Sequence, residues 1–174
     1  SKGDLLILLS CERLLSKSIL SLNTKNIVIH PSKLPKGKGW SPLAWQILEG
    51  KNKIPITLFE ANENLDSGDI YLVDYIELSG HELNDEIKKK QGEKTIEMVK
   101  YFVNNFDEMA SHSQSGEESV YSKRTKKDSE LDIGKTLDEQ FNLLRVVDNE
   151  RYPAYFIKND KKYLVKIYQG DIDE

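Results

Sequence analysis

Cysteine is almost absent from this chain of 174 residues. Cys11 stands alone, so no internal disulfide and no cysteine metal cluster can form, a composition that fits a reducing cytoplasm, and no metal site is expected. Long apolar runs are missing too. Nothing approaches the roughly 20 residues needed to span a bilayer, and Ser1 to Leu9 lacks the basic flank and cleavage site of a secretory signal. An excess of positive charge is also lacking: 25 basic residues against 29 acidic ones give a net charge of −4. No global field therefore draws in a polyanion, and neither nucleic acid nor membrane is expected as a partner. A small anion needs only a local patch, which Lys36 and Lys38 are placed to supply for a phosphate.

What the chain does have is one dense run of breakers. Ile27, Val28 and Ile29 make a short buried-strand signal, and His30-Pro31-Ser32-Lys33-Leu34-Pro35, with Gly37, Gly39 and Pro42, ends it. His30 thus falls at the carboxyl end of a strand, where open α/β sheets place their active sites. Thirty-six positions later, after a second strand signal over 54–59, the turn-like stretch 62–68 carries Leu65-Asp66-Ser67-Gly68. Two neighbouring strand ends would bring the Asp66 carboxylate against the imidazole, a general acid/base arrangement. Either Asp66 acts through His30, or it takes the proton itself through water.

The rest reads as alternating strands and helices, the pattern of an α/β sheet. Leu5 to Leu9 suggests a parallel strand buried on both faces. Leu14, Leu15, Ile19 and Leu22 lie at helical spacing over 12–22, and Pro42 in the first turn with Gly50 past the end brackets a helix over 41–49. Strands are expected over 54–59 and 70–78, and a helix over 81–106. Residues 111–119 are polar enough for a mobile linker. Thr136 and Glu139 fit a capping box opening a helix with Leu137, Phe141 and Leu144, and Asn159-Asp160 marks a hairpin between strands at 155–157 and 163–167. Three units are expected: a core over 1–110, a linker over 111–120 and a helix-and-hairpin subdomain over 121–174. Trp40, in a glycine-rich rim, is a candidate for stacking on a base or sugar, whereas Trp45 inside the next helix reads as core. His81 and His112 read as solvated.

His30, Pro31, Ser32, Leu34, Pro35, Gly39, Pro42, Leu65, Asp66, Gly68 and Asp69 together resemble the signature of the folate-dependent formyltransferases. The resemblance implies a Rossmann-like α/β fold whose first βαβ half would precede Ser1, with a small α+β hairpin appendage at the carboxyl end. It implies transfer of a formyl group from N10-formyltetrahydrofolate to an amine, with His30 and Asp66 catalytic. The family's catalytic asparagine falls on Val28; Asn26, two residues away on the same strand face, is the candidate replacement. The resemblance places the pterin against Ser10, Cys11 and Leu14 and against the Glu60, Asn62 and Leu65 loop.

The loop Lys36-Gly37-Lys38-Gly39-Trp40-Ser41-Pro42 is similar to formyltransferases of the pseudaminic-acid type, which act on nucleotide-linked 4-amino-4,6-dideoxy sugars. That similarity implies Arg124, Asn142, Arg145 and Tyr152 on the nucleotide-sugar side and leaves a homodimer open. Methionyl-tRNA formyl transfer and an inactive binding or scaffold module of the same fold are the alternatives.

Overall fold

The computed structural model describes residues 2–11 and 13–172. The chain forms β1 (Gly3–Leu8), a single turn α1 (Lys17–Leu20), β2 (Asn23–His30), a two-residue β3 (Lys38–Gly39), α2 (Pro42–Leu48), β4 (Lys53–Glu60) and β5 (Ile70–Glu77). Then come the long α3 (Asn84–Asn104), a two-residue β6 (Val120–Tyr121), α4 (Phe141–Val146), β7 (Ala154–Lys158) and β8 (Lys161–Val165).

The central sheet has the order β1-β2-β4-β5. The expected α/β architecture is present, but only β1 and β2 run parallel; β2 with β4 and β4 with β5 are antiparallel. The connection accounts for the last of these pairs. A parallel neighbour requires a crossover of a dozen or more residues, whereas the short stretch 61–69 between β4 and β5 suffices only for an antiparallel return.

Isoleucine and leucine at alternate positions supply the core. Ile27 on β2, Ile54, Ile56 and Leu58 on β4, and Ile76 on β5 pack with Leu43 and Ile47 of α2 and with Ile87, Met98 and Phe102 of α3. The other strand face holds a smaller cluster of Leu34, Phe59 and Ile70, with Val28 and Val73 against it. A third cluster, of Leu131, Leu144, Val147 and Ala154, lies under the hairpin. Residues after 121 are tied to the loops before β4 and after β5 and to α3: the buried Arg145 Nη1 donates to Asn52 Oδ1 at 3.0 Å, its Nε to the Glu82 carbonyl at 3.2 Å, and Lys88 meets Asp148 at 3.1 Å.

Several expectations are corrected. The helix over 12–22 shrinks to α1; Glu12 lies outside the described residues, and Leu14, Ile19 and Leu22 are exposed rather than packed. The stretch is punctuated by Ser16, Ser18 and Ser21, which compete for backbone bonds, and helical spacing yields a helix only where a layer receives the apolar stripe. β1 is not buried on both faces: its leucines are half-buried because it forms an edge of the sheet among the described residues. The capping box forms, with Thr136 N donating to Glu139 Oε2 at 2.8 Å and Glu139 N to Thr136 Oγ1 at 3.2 Å, yet α4 begins only at Phe141 and Leu137 is exposed. Trp45 is half-buried rather than core, its indole N–H donating to the Ser122 carbonyl at 2.8 Å. Asn159 and Asp160 both take positive φ, 50° and 59°, as a tight two-residue hairpin turn requires.

Candidate functional site

His30 ends β2 opposite Thr57 of β4. The Pro31-Ser32 segment beyond it is held by buried polar side chains: Thr57 Oγ1 donates to the Ser32 carbonyl at 2.6 Å, and Gln46 Nε2 to the Pro31 carbonyl at 2.7 Å. The imidazole, 8% exposed, is itself fixed. Its Nε2 lies 2.8 Å from the Gly37 carbonyl. A carbonyl only accepts, so Nε2 carries the hydrogen and the neutral ring keeps its lone pair on Nδ1. Nδ1 faces Asp66, with Oδ2 at 3.8 Å.

Asp66 is delivered by a turn with little latitude. It adopts φ +46°, an uncommon conformation for a residue with a side chain. Asn62 Oδ1 accepts from Asn64 N and from Ser67 Oγ, each at 2.9 Å, folding the turn onto itself. A Cβ on Gly68 would stand 1.7 Å from the Glu60 carbonyl oxygen, so only glycine lets this loop close on β4. Gly39, at φ +92°, brings its N–H within 2.8 Å of Asp66 Oδ2.

These groups border a cleft of about 460 Å³ between residues 8–11 and 13–15, the ends of β2 and β4, the rim at 39–43 and the 61–66 loop. Its walls are largely apolar, from Leu8, Leu9, Leu14, Val28, Phe59 and Leu65, with Ser10, Cys11, Asn62 and Asn64 between them. That size and lining suit a flat heteroaromatic ligand whose polar edge meets backbone groups. Ser10, Ser41 and Asp66, three of the five described residues other than glycine with positive φ, all border it, a clustering expected of a ligand site.

The structure brings His30, Asp66, Ser10, Cys11, Leu14, Asn62, Leu65 and Trp40 to this cleft. Trp40 is 39% exposed and also lines a shallow groove with Val120 and Tyr121. Asn26 is not brought there. It is buried four residues before His30, about 13 Å along the strand, with its Nδ2 donating to the Leu20 carbonyl at 3.0 Å. Val28, one step nearer on the same face, lines the cleft in its place. Glu60 faces Asn26 and Tyr71 instead of the cleft, accepting from Asn26 N at 2.7 Å and the Tyr71 hydroxyl at 2.8 Å. Burial, then this carboxylate, pushes the Tyr71 phenol well above its ordinary value.

The predicted anion-binding residues lie elsewhere as well. Lys36 pairs with Glu117 at 3.5 Å and the buried Lys38 with Glu118 at 3.0 Å. Arg124 donates to the carbonyls of Val146 and Asp128. Arg145 is 1% exposed and donates to Asn142 Oδ1 at 2.9 Å. Tyr152 is exposed beside the hairpin, bridged through its backbone to Asp148.

Arg13 and Asn64 also line the cleft, inside the 10–15 and 60–66 segments expected at the pterin, whereas Gln91, Thr95 and Lys123 are polar cleft residues that the sequence reading passed over. A signal existed for Gln91 and Thr95: Ile87, Gln91, Thr95, Met98 and Phe102 form one helical stripe, and its second and third members are polar between buried apolar ones.

A methionyl-tRNA formyltransferase from Clostridium perfringens is 28% identical over 148 residues, covering 82% of this chain and 47% of that protein. The chain spans about half the length of the sequence relatives it matches. Among solved structures, a sugar N-formyltransferase from a Shewanella species superposes with a TM-score of 0.74 at 18% identity, covering 97% of this chain and 71% of the other. HypX from Aquifex aeolicus in complex with tetrahydrofolic acid does so with a TM-score of 0.78 at 20% identity, covering 94% and 29%. At these identities the two structures speak to the fold. The family described as formyl transferase matches residues 1–101, more than half of the sequence, and the chain belongs to that family.

Proposed function

We propose that this chain carries the catalytic centre of an enzyme that moves a formyl group from N10-formyltetrahydrofolate to the amine of a nucleotide-linked 4-amino-4,6-dideoxy sugar. The observation that carries the reading is the His30–Asp66 pair at 3.8 Å, set into the floor of a cleft of suitable size for a pterin. Family membership supports formyl transfer, and the fold relative holding tetrahydrofolate supports the donor.

The chemistry is set by the atoms available. An amine attacks the formyl carbon as a neutral nucleophile, so a proton must leave it while another reaches the departing folate nitrogen. His30 Nδ1, with its lone pair facing Asp66, takes up the first proton, Asp66 steadies the imidazolium that results, and the imidazolium returns a proton to the departing folate nitrogen. The negative charge on the formyl oxygen needs a fixed donor in a dry site. With Val28 where the family resemblance places an asparagine, imidazolium His30 or a backbone N–H fills that role.

Trp40, half-exposed at the rim and continuous with the Val120 and Tyr121 groove, offers a face for a sugar or base. Arg13 and Lys123 are the basic side chains of the cleft apart from His30 and suit a diphosphate. The net charge of −4 favours a small anion over a long one.

A methionyl-tRNA acceptor is the second reading, favoured by the names of the sequence relatives. The deciding assay incubates the intact protein and N10-formyltetrahydrofolate with either a 4-amino-4,6-dideoxy sugar nucleotide or charged initiator tRNA, following tetrahydrofolate release. Faster release with the sugar nucleotide is expected; faster release with the tRNA reverses the assignment.

A further inference from the structure

Residues 111–119 are polar and, apart from Gln114, exposed. In the structure they lie as a strap across both loops that present the His30–Asp66 pair. His112 exchanges two backbone hydrogen bonds with Ile70, at 2.8 and 2.9 Å. Ser119 Oγ accepts from Gly37 N at 2.9 Å, its carbonyl accepts from Lys38 N at 2.9 Å, and β6 then pairs in parallel with β3. Between these anchors the half-buried Gln114 reaches inward. Its Nε2 donates to the Asp66 carbonyl at 2.9 Å and to the Gly68 carbonyl at 2.8 Å.

Both acceptors belong to the turn that sits at positive φ at Asp66 and lacks room for any Cβ at Gly68. Such a backbone persists only where its surroundings over-determine it. Two carbonyls converging on one nitrogen need a group with two N–H hydrogens, and at this half-buried place a carboxamide supplies them without burying a charge. The Oε1 of Gln114 is buried with no partner among the described residues, so the donor half of the amide carries the contact. A side chain kept only for packing would avoid burying that oxygen.

We propose that Gln114 is a positioning residue: its amide fixes the backbone of the Asp66–Gly68 turn and so sets where Asp66 Oδ2 stands relative to His30 Nδ1. This rests on the reading of Asp66 as a catalytic carboxylate. Gln114 touches neither the imidazole nor the carboxylate, and it acts through the turn alone.

Gln114→Glu keeps the size and removes both donors. In the intact protein, kcat is expected to fall on the order of 10- to 100-fold, the scale of a misplaced catalytic group, with KM for the folate donor changed less than about twofold. Added to Asp66→Asn, the same change is expected to cost less than about twofold more, because both act through one group. A kcat within about twofold of wild type, or equal losses in both backgrounds, overturns the proposal.

Amide hydrogen exchange tests it without any substrate. Amides of 62–69 are expected to exchange at least about tenfold faster in Gln114→Glu and in Gln114→Ala, with α3 unchanged. Unchanged exchange in 62–69 overturns the positioning role whether or not formyl transfer is observed, so failure of this inference is distinguishable from failure of the functional reading.

Discussion

The backbone N–H of Gly39 donates to Asp66 Oδ2 at 2.8 Å, and that same oxygen is the one facing His30 Nδ1 at 3.8 Å. The glycine loop therefore grips the pair from both ends, since Gly37 accepts from the opposite nitrogen of the imidazole. Neither side chain can rotate away without breaking a bond to backbone. Substituting either is expected to cost at least ~100-fold in kcat, the contribution typical of general acid/base groups. Stability should suffer by about 1–3 kcal/mol, the cost of leaving one buried hydrogen-bonding group unpaired. Steady-state rates and thermal unfolding of His30→Ala and Asp66→Asn check this; turnover within threefold of wild type in either would remove it from the mechanism.

Asn26 should behave in the opposite way. Its Nδ2 donates to the Leu20 carbonyl at 3.0 Å and its backbone N–H to Glu60 at 2.7 Å, far from the cleft. Asn26→Ala is expected to lower stability by about 1–3 kcal/mol, the cost of leaving a buried acceptor unpaired, while kcat stays within about threefold. A loss near the 2.7 to 4 kcal/mol of transition-state stabilisation attributed to one oxyanion donor, roughly a hundredfold or more in rate, would instead make Asn26 catalytic.

Trp40 offers a test of the acceptor side. Because it lines both the cleft and the adjoining groove, Trp40→Ala is expected to raise KM for a sugar-nucleotide acceptor about tenfold, the worth of one lost stacking contact of about 1.4 kcal/mol. KM for the folate donor should change little. Equal rises for both substrates would point to a collapsed rim.

Glu82 and Arg145 form a buried pair, 3.5 Å apart, that joins α4 to the loop between β5 and α3. Burial raises the Glu82 carboxyl, but Lys90 and the Ser79 and Gly80 N–H groups outweigh it and lower the group from the usual 4.5 to about 2. The folded protein thus holds this carboxyl deprotonated where the unfolded chain would take up a proton. The stabilisation, about 3 kcal/mol, is complete above pH ~4.5 and is lost as pH falls towards about 2. Glu82→Gln should flatten the acid limb of a stability-against-pH curve. Arg145→Met should destabilise by about 3 kcal/mol or more, since it leaves a buried charge short of a partner, with KM for the acceptor unmoved. A raised acceptor KM at unchanged stability would return Arg145 to the substrate site.

How far the sequence revealed these arrangements depends on the range of the interactions behind them. The strands, the hairpin turn at Asn159-Asp160 and the approach of His30 to Asp66 arise from local punctuation by proline, glycine and asparagine. Lys36, Lys38, Arg124 and Arg145 carry the right charge for an anion, but charge type does not say which partner arrives. Glu117 and Glu118 come from some eighty residues downstream to neutralise the two lysines. The 12–22 stretch shows the same limit from the apolar side: helical spacing is present, and among the described residues no layer receives it. Gln91 and Thr95 were legible as polar steps in an apolar stripe.

That stripe bears on how the protein tolerates change. α3 closes the sheet with Ile87, Met98 and Phe102, and between them it turns Gln91 and Thr95 to the cleft. One helix face therefore answers to two demands that pull apart. Leucine at either polar position would add buried apolar surface and raise the melting temperature, while filling the space a ligand needs. A library screened for heat resistance alone should gather leucine or isoleucine at both places and lose ligand binding as it does so, whereas one screened for turnover should keep them polar and accept the lower ceiling.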